Sequence, residues 1–114
     1  MSDCLFCKIA AKEIPATVVY KDDDVVAFED VSPQAPVHIV VIPKKHMAST
    51  NDIAENGDRI AGKLLRVASE IAKDKKISDS GYRLIVNCGK DAGQVVPHVH
   101  IHLLGGRKFG WPPG

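Results

Sequence analysis

Two β-branched runs, Thr17-Val18-Val19-Tyr20 and Val25-Val26-Ala27-Phe28, flank the polar cluster Lys21-Asp22-Asp23-Asp24. That pattern predicts a hairpin with the acidic cluster as its turn. Ser32-Pro33-Gln34-Ala35-Pro36 then forces a loop, and Val37-His38-Ile39-Val40-Val41-Ile42 reads as a buried strand stopped by Pro43. Helical spacing governs two other stretches. Leu5, Phe6 and Ile9 predict a short helix over residues 3–12, with Pro15 just beyond its end. Ile53, Ile60, Leu64, Val67 and Ile71 form one apolar stripe, with Arg59, Lys63, Arg66, Glu70 and Lys73 elsewhere. Asn56-Gly57 weakens the first turns of that long helix, so its regular part is expected from near Asp58. After Gly81 comes a further strand, residues 82–87. The glycine-bracketed loop 89–94 leads into a last strand over residues 97–104, and the tail Trp111-Pro112-Pro113-Gly114 is expected to be extended.

Five strands with hairpin-length connections favour antiparallel pairing, and the helices do not alternate with them. The fold class is therefore α+β: a five-stranded antiparallel sheet with one long and one short helix, the sheet carrying helix on one face. With 114 residues, no repeat and no low-complexity linker, residues 1–114 form a single domain. Charge changes the picture by exclusion. Fifteen basic against fourteen acidic residues give a net charge of +1, so no broad field points to nucleic acid, and an anionic ligand must be captured locally. Met1-Ser2-Asp3-Cys4 does not begin a signal peptide, and no apolar run approaches the ~20 residues that span a bilayer. The expectation is a cytoplasmic protein without membrane association. Three cysteines do not make a disulfide framework; Cys4 and Cys7 are a Cys-x-x-Cys pair, and Cys88 reads as a small buried or loop residue.

The chemistry concentrates in the last strand. His98, His100 and His102 alternate with Val99, Ile101 and Leu103, so a strand puts three imidazoles on one face and three apolar side chains on the other. Three of the chain's five histidines on one ridge suit an anion, a metal or proton transfer near neutral pH.

His98-Val99-His100-Ile101-His102-Leu103-Leu104 resembles the His-φ-His-φ-His-φ-φ signature (φ apolar) of the histidine triad superfamily. Phe28 through His38, Ile42-Pro43-Lys44-Lys45-His46, Gly105-Gly106-Arg107 and the Trp-Pro-Pro-Gly tail are similar to its Hint branch, so the resemblance covers essentially the whole chain. It implies a homodimer, with sheets joined across it and the tail with Trp111 crossing the interface. The implied activity is hydrolysis of purine nucleoside 5′-phosphoramidates through a nucleotidyl-histidine intermediate. Residue for residue, His100 would be the nucleophile, His98 and His102 would flank the phosphate, and His38 would support the triad. Asn87 would lie near the phosphate and Asp30 would receive the ribose hydroxyls. Leu5, Phe6, Ile9, Phe28 and Val31 would wall the base. These roles suit the side chains: a neutral imidazole is a competent nucleophile, a neighbouring imidazolium can protonate a departing amine, and a carboxylate accepts two hydroxyls. Gly93 and Gln94 enter the strand where backbone amides can approach phosphate. One position departs from the pattern. Val95 stands where Hint enzymes often carry a polar side chain near the leaving group, which leaves the preferred leaving group open.

Cys4 and Cys7 lie one helical turn apart, a common spacing for two ligands of one metal, although the pair equally suits helix packing. The resemblance implies a structural zinc held by Cys4, Cys7, His46 and His98, and no organic cofactor. Three other readings stay open: a dinucleoside polyphosphate hydrolase, a nucleotide-binding interaction protein with vestigial activity, and a zinc-dependent structural module.

Overall fold

A computed structural model of the chain describes residues 4–114. The start of the expected first helix at residue 3, and the rest of the Met1-Ser2-Asp3 segment, lie outside the described residues. Helix α1 spans Leu5–Ala10, with Cys4 as its N-cap. Strands β1 (Val18–Lys21), β2 (Val25–Glu29) and β3 (Val37–Pro43) follow, then the long helix α2 (Asp58–Asp74), then β4 (Tyr82–Ile85) and β5 (Ile101–Gly105). All pairings are antiparallel, and the sheet order is β1-β2-β3-β5-β4.

The period-2 alternation gives the sheet two apolar faces. Val25, Ala27, Ile39, Val41, Ile101 and Leu103 pack under α2, against Leu64, Val67, Ala68 and Ile71. On the other face Val26, Phe28, Val40 and Ile42 pack against Phe6 and Ile9 of α1. The expectation of helix on one face thus holds only for α2. The fully apolar runs of β2 and β3 have no polar face to give to solvent, so each needs a cover on both sides.

The acidic turn of the hairpin is built as expected. Asp22 Oδ1 accepts from the amides of Asp24 and Val25 at 2.8 Å each, and Lys63 Nζ reaches both Asp22 and Asp24 at 3.0 Å, tying the turn to α2. Ile53 falls outside the helix. Residues Thr50–Asp52 and Glu55–Gly57 are separate 3₁₀ turns, the first closed by a reciprocal Ser49–Asp52 capping box. At the far end of β5, Gly106 takes φ +88°, and a Cβ there would come within 2.9 Å of Pro36.

Two strands are shorter than the sequence suggests, for one reason. The last β4–β5 pair is Ile85 with His102, and the last β3–β5 pair is Val41 with Ile101. Val86 and Asn87 therefore have no ladder partner, and residues 98–100 approach the sheet as irregular chain. The Val99 amide bonds the Met47 carbonyl at 2.7 Å instead. Alternation survives the loss of strand structure: Val99 stays in the α2 core, while the three histidines face the α1 side.

Candidate active site

β3 and β5 place the first pair of functional side chains. His38 is paired with Leu104, and His102 with Val40, so the two histidines are diagonal neighbours on one face. His38 Nε2 lies 2.9 Å from His102 Nδ1. The Gln34 amide donates to His38 Nδ1 at 3.0 Å, which makes that nitrogen an acceptor and puts the proton of the neutral ring on Nε2. His38 then donates to His102, whose own proton sits on Nε2. Asp30 Oδ2 approaches His38 Nε2 at 3.4 Å, and Asp30 Oδ1 accepts from the Ser32 amide at 2.8 Å.

His100 is 5% exposed and its Nδ1 lies 2.6 Å from the His98 carbonyl. A carbonyl only accepts, so Nδ1 carries the proton and Nε2 keeps its lone pair. His100 packs edge-on against Phe6 at 5.0 Å and His102 at 4.9 Å between ring centroids.

A cavity of about 680 Å³ opens over this face. Of the residues expected to act together, it is lined by Leu5, Phe6, Ile9, Phe28, Asp30, Val31, His38, Asn87, Gly93, His100 and His102. Val95 also lines it and is 89% exposed. Two expected residues lie elsewhere. Gln94 is turned away from the cavity: its carboxamide accepts from the Gly89 amide and donates to the Val96 carbonyl nearby and to the Ala48 carbonyl of a distant segment. The Gly93 and Gln94 amides are likewise bonded within the loop, to Lys90 and Gly89 carbonyls. His98 is fully buried and does not border the cavity. Ile14, Ser32 and Gln34 line it without having been singled out. Only the proline-bracketed loop of Gln34 signalled a rigid turn, and nothing in it announced the amide that sets the His38 tautomer.

Burial, with His100 and His38 close by, pushes His102 down to about 4 despite Asp30. Burial also lowers His38, and Asp30 works against that. An imidazolium is therefore not the resting form of either ring at neutral pH in the ligand-free chain. Cys88 is a half-buried loop residue whose thiol is drawn below its usual range, first by the Thr50 hydroxyl and then by that of Ser49.

The second cluster lies behind the first. Cys4 Sγ, Cys7 Sγ, His46 Nδ1 and His98 Nδ1 all lie within 4.8 Å of one another. Sulfur–nitrogen distances are 3.3, 3.3 and 3.5 Å, and His46 Nδ1 to His98 Nδ1 is 3.2 Å. Bonds of ~2.0–2.3 Å to a tetrahedral ion separate N and S ligand atoms by about 3.3–3.8 Å. His98 Nε2 donates to the Pro43 carbonyl at 2.8 Å, which turns the Nδ1 lone pair toward the sulfurs. The four donors fit a metal ion. Asp30, His38 and His102 also converge closely, but the proton fixed on His38 Nε2 makes them a hydrogen-bonded relay.

The site thus brings together a buried imidazole with a lone pair on Nε2, two hydrogen-bonded histidines and a mostly apolar cavity bordered by a carboxylate. The HIT domain profile matches residues 11–109, and the chain belongs to that family. A crystal structure of a HIT family hydrolase from Legionella pneumophila superposes with a TM-score of 0.97 at 49% identity, covering 98% of this chain and 100% of that one. A histidine triad protein from Clostridium difficile gives 0.93 at 49% identity, over 96% of each chain. The purine nucleoside phosphoramidase of Escherichia coli is 45% identical over 108 residues, 95% of this chain and 91% of that enzyme.

Proposed function

We propose that the chain hydrolyses purine nucleoside 5′-phosphoramidates, with His100 as nucleophile. The observation that carries this reading is the 2.6 Å bond from His100 Nδ1 to the His98 carbonyl, which leaves Nε2 as a lone pair beside the cavity. His100 Nε2 attacks the α-phosphorus, the P–N bond to the amine breaks, and a nucleotidyl-histidine forms. Water then attacks phosphorus, the P–Nε2 bond breaks, and the nucleoside monophosphate leaves. His102 Nε2–H is oriented by the His38 relay to donate to a non-bridging oxygen. The phosphate's negative charge raises the pKa of the imidazoles around it, so a proton for the departing amine becomes available once substrate is bound. Asp30 takes the ribose hydroxyls, and Leu5, Phe6, Ile9, Phe28 and Val31 enclose the base. Asn87 and Gly93 border the phosphate end.

The identity to the Escherichia coli phosphoramidase supports the activity. The same reading makes the chain a cytoplasmic homodimer. β4 is an edge strand whose outer backbone groups call for a partner, and Leu65, Val86 and Trp111 expose large apolar side chains. No helix among the described residues is long and apolar enough to cross a membrane. Cys4, Cys7, His46 and His98 would hold zinc, which two thiolates and two imidazoles suit. With four protein ligands such an ion would be structural, leaving the displacement to the histidines.

The test is hydrolysis of adenosine 5′-monophosphoramidate by the wild type and by His100→Ala, with AMP binding measured in both. Turnover should fall at least about a thousandfold in the variant while binding persists. A wild type that binds AMP without turnover would favour a nucleotide-binding protein with vestigial activity, a reading that the apolar Val95 at the cavity supports. Faster cleavage of diadenosine polyphosphates would make the protein a dinucleoside polyphosphate hydrolase.

A further inference from the structure

Helix α1 carries two sets of side chains that belong to different clusters. Cys4 and Cys7 converge with His46 and His98, while Leu5, Phe6 and Ile9 wall the cavity. Phe6 stands between the two cysteines in sequence, and its ring packs edge-on against His100, His98 and Phe28 at 5.0, 6.0 and 5.4 Å. Six residues are too few for a helix to persist alone. No acidic residue occupies its first turn, and its cap is a cysteine sulfur 3.5 Å from the Cys7 amide. The position of α1 therefore depends on the packing of Phe6 and Ile9 on the sheet and on what its Cys4–Cys7 end is fastened to. A second link runs through His98. Its ring joins the four-donor cluster by Nδ1 and the Pro43 carbonyl by Nε2, and its own carbonyl receives the proton of His100 Nδ1.

We propose that the Cys4–Cys7–His46–His98 centre, once loaded with a metal ion, positions the nucleotide site. It holds α1 in place as the cavity wall, and it holds the His98 carbonyl that orients His100. Cys4, Cys7 and His46 are then positioning residues, because none reaches the nucleotide except through Phe6, Leu5 or His98. The inference rests on the nucleotide-binding part of the proposed function, that the cavity holds a nucleotide.

The experiment uses the full chain loaded with Zn²⁺, stripped with a chelator, and reloaded. AMP binding is followed by calorimetry and the His100 ring nitrogens by ¹⁵N NMR. Stripping should weaken AMP binding by about tenfold or more and move the His100 nitrogens from a single Nδ1–H tautomer toward an average of both; Zn²⁺ should restore both readings. His46→Ala should behave as the stripped protein, and His46→Cys, which keeps four donors, as the loaded one. Should stripping unfold the chain, His46→Ala and His46→Cys supply the same comparison, since His46 is the exposed ligand. A stripped or His46→Ala protein that binds AMP within about twofold of the loaded one and keeps the single tautomer overturns the inference. So does a chain that takes up no Zn²⁺. Loss of both readings on stripping, in a loaded protein that never turns over phosphoramidate, would remove the hydrolase reading and leave this one standing.

Discussion

The two ends of the histidine segment use one residue type in opposite ways. At the His98 end both rings turn Nδ1 toward two sulfurs, and the proton of His98 is directed away to the Pro43 carbonyl. At the His102 end a backbone amide fixes the His38 tautomer, and the protons lie between the rings and point on toward the cavity. Between them His100 gives its proton to a carbonyl and keeps a lone pair for the cavity. Both ends bring three or more donor groups within metal-binding distance, so distance alone does not separate them. The partner of each ring's second nitrogen does. The proposed roles of ligand, nucleophile and relay are three outcomes of where one hydrogen bond goes.

Breaking each end should have different consequences. His98→Ala empties a fully buried position, removes a ligand and leaves Cys4 and the Pro43 carbonyl without their ring partner. Urea unfolding should show a loss of about 3–5 kcal/mol in the Zn²⁺-loaded protein, with metal content lost as well. His102→Ala should cost no more than about 1–2 kcal/mol and leave metal content intact, while phosphoramidate turnover falls about a hundredfold. Equal destabilisation of the two variants, or metal loss from His102→Ala, would break the comparison.

pH sharpens it. His102 titrates near 4 in the folded chain and near its ordinary 6.5 when unfolded. As pH falls from about 6.5 toward about 4 the unfolded chain takes up a proton that the folded site refuses, so stability declines through that window and flattens below it. The loss is about 1–3 kcal/mol, and His38, also lowered, adds in the same direction. Urea midpoints of metal-stripped wild type and His102→Gln between pH 7 and 4 isolate the effect. The variant should show a shallower decline; parallel curves would mean that His102 is not held neutral.

The sheet and α2 were legible because alternation and the helical stripe are local patterns. Their limits were not, because a strand ends where its neighbour ends. Asn87 leaves β4 and His98 precedes β5 for want of a ladder partner that neither segment reveals. The arrangement of the triad was half legible. Spacing put three histidines on one face, and the resemblance grouped His98 with Cys4, Cys7 and His46, which the fold brings together. That Gln94 ties its loop to the Ala48 carbonyl depends on a contact between distant segments, and that the Gln34 amide sets the His38 tautomer depends on how the intervening loop folds back. The position of α1 on the face opposite α2 depends on the apolar outer sides of β2 and β3, whose unbroken hydrophobic runs contained that information.

Val95 offers the smallest effect and the finest distinction. It lines the cavity yet is 89% exposed, so its side chain contributes little to packing. Val95→Ser should leave the unfolding midpoint within about 0.5 kcal/mol of wild type. A hydroxyl there supplies a donor that valine lacks, and a donor near a departing amine matters only when the bond to phosphorus is breaking. Its effect should therefore fall on kcat, by about two- to fivefold for poor amine leaving groups and hardly at all for an activated one, with AMP affinity unchanged. An increase for every leaving group alike would place the residue in nucleotide binding. No change for any would mean that departing groups pass Val95 without touching it.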